Sequence, residues 1–279
     1  MSNGLAVIIV GAVLIAIGIA GLFVAMFAAR RVRVMTATST SRIGDLLPEY
    51  EALRGELGGG PSELRKTVEL KGRVACDSPV TGELSGEAAA MVHTQVSRDV
   101  EVRKRTTDKN GRTTERWVRQ TERIHSDERQ ARFDIDDGTG RVRVRPDGAS
   151  IDLTEVVDRF EQPNTVEQTT GSLRLGGFSF NFSTSLGSSK RIIGYRFQES
   201  ILPVGADLYV LGELSDTGDG LAVRDADDPD RPFIVSTKDE ESLVRSGKST
   251  IKWGKIGGGA CVVLGLVACL IGAVMLILG

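Results

Sequence analysis

The sequence predicts an α+β membrane protein, in which two transmembrane helices flank one β-rich soluble domain that could close into a barrel-like sheet. Residues 1–29 and 256–279 contain no Asp, Glu, Lys or Arg, so all 35 basic and 37 acidic side chains lie between these two ends. The middle of the chain alternates apolar and polar residues with period two, which is typical of strands. Together these observations predict apolar helices at both ends and a sheet between them.

Residues 5–29 form a run of 25 uncharged residues, and residues 256–278 form a second run of 23. Both runs are long enough to cross a bilayer as a helix, which takes about 20 residues. The alternative for the first run is a cleaved signal peptide. Such a peptide has a shorter apolar region and carries its basic residues before that region, whereas here they follow. The alternative for the second run is a buried core helix, which its length and glycine-rich start disfavour.

Basic residues border both runs on the side that faces the middle of the chain. They are Arg30, Arg31 and Arg33 after the first run, and Arg245, Lys248, Lys252 and Lys255 before the second. Because Lys and Arg are enriched in cytoplasmic segments, this pattern predicts a multi-pass protein of the cell membrane whose soluble domain is cytoplasmic.

Small residues recur along one side of each apolar run and predict close helix packing. They are Gly11, Gly18, Gly21, Ala25 and Ala28 in the first run, and Gly257, Cys261, Gly265, Cys269 and Ala273 in the second. The packing could join the two runs of one chain or form a homo-oligomer or a contact with another protein. The alternative is that Gly and Ala are simply common in transmembrane helices. The expected partners are therefore the lipid bilayer and a protein that contacts these helix faces.

Between the runs, residues 30–64 predict a helical stalk, and Pro48 favours a kinked or two-piece helix there. Residues 65–245 carry the strand pattern, and Asn110-Gly111 predicts a tight hairpin turn within it. Within this soluble domain, residues 151–160 predict a short helix. Residues 246–255 predict a linker into the second run.

The residues of the soluble part do not assemble a recognisable catalytic or metal site. It contains two histidines and one cysteine, Cys76, which are too few for a zinc site. Neither the G-x-S-x-G elbow nor a phosphate-binding glycine motif occurs. We therefore predict no catalytic residue, no metal and no cofactor.

A basic stretch between residues 98 and 132 is interleaved with acidic residues such as Glu101, Glu115 and Glu122. A nucleic-acid surface usually has fewer acidic residues between its basic ones. Ion pairs across a solvated hairpin explain the pattern well, so no nucleic-acid partner is expected. A contact with anionic lipid is the other alternative, if the hairpin lies near the membrane.

Four segments in this order resemble a known family: residues 72–82, Trp117 with residues 133–149, residues 195–213 and residues 231–237. Together they are similar to the GIDE domain of the MULAN-like membrane RING ubiquitin ligases, in its prokaryotic form. The resemblance covers residues 65–240 and implies a domain between two spans that binds or senses a ligand. In those ligases a RING domain follows the second span. The present sequence has no residues for one, so we do not expect ligase activity to carry over.

Two functional hypotheses follow. The first is a non-catalytic binding or scaffold protein that recognises a protein or lipid ligand at the membrane. The second is an enzyme, either a ubiquitin-ligase-like component acting with a separate RING partner or a membrane hydrolase that uses a carboxylate such as Glu199. Tyr195, Arg196, Glu199 and Trp117 are the candidate ligand-binding residues. The alternative for Arg196 and Glu199 is an ordinary cross-strand ion pair.

Overall fold

The computed structural model describes residues 2–56, 65–107, 111–164, 167–169, 172–175, 178–181, 190–216 and 220–278. The helices are α1 (Ser2–Ala37), α2 (Ile43–Glu56) and α3 (Glu240–Leu278). The strands are β1 (Arg65–Ala75), β2 (Val80–Thr81), β3 (Ala88–Thr107), β4 (Thr113–Gln130), β5 (Phe133–Asp136), β6 (Arg141–Val144), β7 (Ser150–Asp152), β8 (Thr154–Glu161), β9 (Glu167–Thr169), β10 (Ser172–Leu175), β11 (Phe178–Asn181), β12 (Lys190–Pro203), β13 (Asp207–Asp216), β14 (Leu221–Arg224) and β15 (Ile234–Ser236). The predicted α+β class, with apolar helices at both ends of a β-rich domain, is confirmed.

The chain folds into two compact units. The first unit contains Met1–Leu70, Pro146–Ser150 and Tyr209–Gly279, and the second contains Lys71–Arg145 and Ile151–Leu208. The predicted soluble domain of residues 65–245 therefore contributes residues to both units. Strand β1 pairs with both β5 and β13, in agreement with the expected barrel-like sheet.

Helices α1 and α3 of the first unit are long and apolar enough to cross a membrane. Their most apolar stretches have mean hydropathies of 3.0 and 2.9, and only 11% of each stretch is buried inside the protein. An apolar surface of this kind is stable in lipid but unfavourable in water. Both helices also extend beyond the apolar runs. In particular, the predicted linker of residues 246–255 is helical and belongs to α3.

The backbones of α1 and α3 pack directly against each other through glycines that repeat every seven residues. The buried glycines are Gly4, Gly11 and Gly18 on α1, and Gly258, Gly265 and Gly272 on α3. A Cβ atom added at Gly11 would lie 2.7 Å from the carbonyl oxygen of Gly265, and one at Gly18 would lie 2.7 Å from that of Gly258. The helices are antiparallel, and the seven-residue period is that of a left-handed pair.

This packing shows that the small residues join the two helices of one chain. Among the residues predicted for the interface, Gly11, Gly18, Gly265 and Cys269 lie in it, whereas a Cβ atom added at Gly257 would have no atom of the other helix within 4 Å. Association between copies of the chain stays a prediction.

The pair of helices α1 and α3 continues into the core of the first unit. Met35, near the end of α1, is buried against Tyr209, Leu211 and Ile234 of β13 and β15. Partly buried residues of both helices complete this cluster: Val34, Leu243 and Val244. The two long helices therefore pack directly against β13 and β15 near the ends that face the sheet.

A buried carboxylate holds the segment between α1 and α2 in the first unit. Glu69 is 1% exposed. It accepts hydrogen bonds from the Thr40 hydroxyl at 2.6 Å and the Tyr209 hydroxyl at 3.0 Å. Burial and the nearby Glu69 carboxylate raise the pKa of Tyr209, so its hydroxyl stays protonated and donates.

Helix α2 runs through Pro48 as one helix, so the two-piece interpretation of this segment is wrong. Its buried residues, Ile43, Leu46 and Tyr50, form one apolar side that spans both sides of the proline. The Tyr50 hydroxyl also donates to Asp216 at 2.6 Å. These contacts stabilise the helix by more than it loses with the single backbone hydrogen bond that proline removes. Residues 57–64, the rest of the predicted stalk, lie outside the described residues.

The second unit is built on a sheet in which β2 and β12 lie beside β3, β8 pairs with β12, and β4 pairs with β3. The predicted hairpin is confirmed, since β3 and β4 pair antiparallel from Met91↔Gln130 to Thr107↔Thr113. Residues 108–110 of its turn lie outside the described residues. The same unit contains the antiparallel pairs β5–β6, β9–β10 and β10–β11.

The short helix predicted at residues 151–160 is wrong, because these residues form β7 and β8. The apolar residues Leu153, Val156, Val157 and Phe160 have the i, i+3, i+4, i+7 spacing of a helix. In the folded chain, β12 offers this segment an antiparallel partner from Tyr195 to Ile201. Pairing with β12 therefore decides that this segment is a strand, although the spacing of its apolar residues is helical.

We expect Gly265→Leu to separate α1 from α3, because the new side chain would overlap the backbone of α1 at a cost of about 1–3 kcal/mol. Spin labels at the exposed positions 9 and 270, in a chain whose native cysteines are replaced, report the helix separation in nanodiscs. The measured distance should increase and broaden. Gly257→Leu is the matched control and should leave the distance unchanged; an unchanged distance in Gly265→Leu would contradict the packing.

Candidate functional site

Three of the four residues predicted to bind a ligand lie on β12 of the second unit. Tyr195 has no exposed surface and packs with Val96 and Phe197 in a buried cluster. Burial raises the pKa of its hydroxyl. The side chain therefore contributes to the core of the sheet.

Glu199 lies two positions after Phe197 on β12 and is also fully buried. Its carboxylate accepts four hydrogen bonds: from the Ser85 hydroxyl at 2.6 Å, the backbone N–H groups of Leu84 and Ser85 at 2.9 Å each, and the Thr94 hydroxyl at 3.1 Å. Burial acts to raise the pKa of Glu199, but the bonds from Ser85, Leu84 and Thr94 outweigh it and lower that pKa. The residue thus ties the turn after β2 to the sheet.

Gly82 shows how closely this turn approaches the carboxylate. A Cβ atom at Gly82 would lie 2.5 Å from Oε1 of Glu199 and 2.3 Å from the Ser85 hydroxyl oxygen. Only glycine fits at this position, because the turn packs directly against the carboxylate of Glu199.

Arg196 lies between these residues in sequence but points to the opposite side of β12. Its Nη1 atom is 2.9 and 2.8 Å from the two carboxylate oxygens of Asp158 on β8. The pair is substantially exposed, with 46% of the Arg196 side chain accessible. The structure therefore contains the cross-strand ion pair that was the alternative for this residue.

Trp117 is 49% exposed and lies on β4, with the guanidinium of Arg103 at 6.0 Å from its ring centre. Tyr195 is opposite Arg98, and Arg98 is opposite Glu122 on β4. Trp117 is five residues farther along that strand, or about 17 Å at the usual rise per residue. The four predicted residues thus do not form one site, and their role in ligand binding stays a prediction.

The outer end of the β3–β4 hairpin is a separate exposed feature of the second unit. We call residues 102–107 and 113–118 the distal ribbon. The last described pair of β3 with β12 is Val102 with Lys190, so beyond it β3 pairs with β4 alone among the described residues. Residues 103–107 and 113–117 are all exposed.

The first unit contains a cleft of about 290 Å³ beside the end of the apolar run in α1. Its lining comes from three segments that are distant in sequence: Arg31, Gly148, Ser150, Asp225, Pro229, Arg231, Pro232, Phe233 and Ile234. Arg31 donates from Nη1 to the Ser150 hydroxyl at 3.0 Å, and its neighbour Arg30 pairs with Asp230. Sequence reasoning missed this cleft, because no local pattern connects residues 31, 150 and 225.

The charges in the cleft differ in how they are compensated. Arg231 pairs with Glu213 at 3.2 Å and with Asp228 at 3.6 Å. Arg31 and Asp225 make no ion pair with any residue that the structure describes. The cleft therefore presents one cation and one anion to a polar ligand. Within the described ranges, no group of three His, Cys, Asp or Glu side chains could hold a metal ion.

Comparison with known proteins identifies a family. The family model GIDE, described as E3 ubiquitin ligase, matches residues 102–272. The E3 ubiquitin-protein ligase SPL1 of Arabidopsis thaliana is 31% identical over 122 residues, which cover 43% of this chain and 32% of the plant protein. The chain thus matches about a third of that relative's length. No solved structure matches the chain.

We expect Glu199→Gln to lower the free energy of unfolding by about 1–3 kcal/mol, because the buried donors lose their charged acceptor. Since the pKa of Glu199 is lowered on folding, its contribution is complete at neutral pH and is lost as the pH falls below about 4. Denaturant unfolding should therefore show that the variant and the parent differ less in free energy of unfolding at pH 3.5 than at pH 7.

Arg196→Gln is the control for this prediction, since an exposed ion pair contributes about 0–1 kcal/mol. If Glu199→Gln were no less stable than Arg196→Gln at pH 7, the structural role of the buried carboxylate would be refuted.

Proposed function

The chain belongs to the GIDE family, and on that premise we propose that it is a membrane-anchored, non-catalytic binding and scaffold protein whose soluble part recognises a protein or lipid ligand at the membrane. Two apolar helices at the ends of the chain support the anchoring. The direct packing of α1 and α3 against β13 and β15 supports a scaffold role, because it holds the sheet of the first unit rigidly on its anchors.

The cleft beside α1 is the observation that carries this proposal. Arg31 follows the uncharged run of residues 5–29 almost immediately, so a chain inserted in a bilayer would hold the cleft close to the headgroup region. A guanidinium and a carboxylate without an ion-pair partner can bind a ligand that carries both charges. A phospholipid headgroup or a polar protein segment meets that requirement.

The basic residues that border both apolar runs support a cytoplasmic position for the soluble part in the cell membrane. This side of the membrane is part of the proposal. It places any protein ligand in the cytoplasm.

A ubiquitin-ligase-like component that acts with a separate RING partner is the second candidate. The description of the family model and the name of the plant relative favour it. A hydrolase that uses Glu199 has no such support, because four hydrogen bonds already enclose that carboxylate.

We expect a photo-crosslinking residue at position 229, on the rim of the cleft, to form adducts with the ligand in native membranes. Arg31→Gln should reduce the adduct yield several-fold, because it removes the cation that the cleft offers. Arg33→Gln is the matched control, since it removes the same charge from α1 outside the cleft. Mass spectrometry identifies and quantifies the adducts. Equal yields in the two variants would contradict ligand binding in the cleft.

The purified full chain should not assemble ubiquitin conjugates when it is mixed with ubiquitin-activating and ubiquitin-conjugating enzymes alone. Conjugates under these conditions would contradict the non-catalytic role. Conjugates that need both this chain and an added RING protein would favour the second candidate instead.

A cysteine introduced at position 111, in the β3–β4 turn, reports the orientation of the soluble part. In a chain whose native cysteines are replaced, we expect no labelling by a membrane-impermeant thiol reagent in intact cells. The reason is that segments rich in Lys and Arg beside transmembrane helices stay in the cytoplasm. Labelling after the cells are lysed shows that the thiol can react. Labelling in intact cells would reverse the proposed topology.

A further inference from the structure

The distal ribbon carries an uneven distribution of charge. Its residues include four basic side chains and one acidic side chain. In an antiparallel ribbon, residues directly opposite each other point to the same face, and successive pairs alternate between faces. The register of β3 and β4 therefore determines which charges share a face.

One face of the distal ribbon compensates its own charges. Arg103 is opposite Trp117, and Arg105 is opposite Glu115. The Glu115 carboxylate lies 3.3 Å from Arg103 and 3.4 Å from Arg105, and the Arg103 guanidinium lies over the Trp117 ring. The cations on this face already have partners within the ribbon.

The other face of the distal ribbon places two cations directly opposite each other, namely Lys104 and Arg116. The pairs on either side of them are Val102 with Val118 and Thr106 with Thr114. Within the described ribbon this face has no acidic residue, and neither cation makes an ion pair with a described residue. Like charges opposite each other in a sheet repel, so an anion bound between them would be stabilised.

We propose that the Lys104–Arg116 face docks an acidic segment of a partner protein. Two adjacent cations, with threonine hydroxyls on one side and an apolar valine pair on the other, suit a short stretch of Asp and Glu side chains with an apolar neighbour. This inference rests on the proposed binding role and names the class of protein that the second unit recognises.

Two other anionic partners fit this face less well. A nucleic acid usually engages many phosphates, whereas this face offers two cations in the described ribbon. A membrane surface favours a basic patch beside interfacial aromatic residues, but Trp117 lies on the opposite face, on Arg103.

The full chain in nanodiscs of neutral phosphatidylcholine, with a fluorescein-labelled heptaglutamate peptide as the probe, tests this inference by fluorescence anisotropy. The double variant Lys104→Gln/Arg116→Gln should weaken binding by about tenfold and flatten its dependence on salt. The matched control is Arg103→Gln/Arg105→Gln, which removes the same charge from the opposite face of the distal ribbon. It should change the affinity by less than about twofold.

Thermal unfolding accompanies the binding assay, because relief of the repulsion should leave the Lys104→Gln/Arg116→Gln variant at least as stable as the parent. Equal losses of affinity in the two double variants, or no binding of heptaglutamate to the parent, would overturn the inference. Tighter, Lys104-dependent binding of phosphatidylserine vesicles or of single-stranded DNA would also overturn it, in favour of those partners. In each case, adducts in the cleft of the first unit would still support the proposed function.

Discussion

The contact between the backbones of α1 and α3 is the constraint on which the arrangement of the first unit depends. Glycines at intervals of seven residues let the two helices approach until the Cα of one lies against a carbonyl oxygen of the other. Lipid provides no hydrophobic drive for helices to associate, so close van der Waals contact of this kind supplies the association. Because the helices run on without a break into the Met35 cluster, the same contact positions β13 and β15.

Buried carboxylates perform a second structural task in each unit. Glu69 in the first unit and Glu199 in the second are almost completely inaccessible, and both accept hydrogen bonds from irregular segments of the chain. An ionised group in the interior is tolerated only when its hydrogen-bonding capacity is met. Both carboxylates thus hold connections between elements in place, and one of them, Glu199, was the candidate for carboxylate chemistry in the sequence.

In the proposed function, ligand recognition depends instead on charges that make no ion pair with a described residue. Several exposed cations of the second unit are paired with acidic residues across strands, as Arg196 is with Asp158 and Arg105 with Glu115. The Lys104–Arg116 face and the cleft at Arg31 are the places where the proposals put a ligand. Family membership supplies a context of ubiquitin ligases for these surfaces.

The sequence by itself determined the two apolar helices, the β-rich character between them, the long β3–β4 hairpin and the family. The first three follow from a local pattern: an uncharged run, an alternation of period two, or a turn signal. The family was indicated by the resemblance of four segments in their order along the chain. Only the tertiary structure decided that residues 151–160 pair with β12 as strands, although their spacing is helical. It also decided that Glu199 is buried and accepts four hydrogen bonds, because its donors lie more than a hundred positions away in sequence. The cleft at Arg31 and the division of charge between the faces of the distal ribbon depend on long-range contacts and strand register, which local periodicity does not encode.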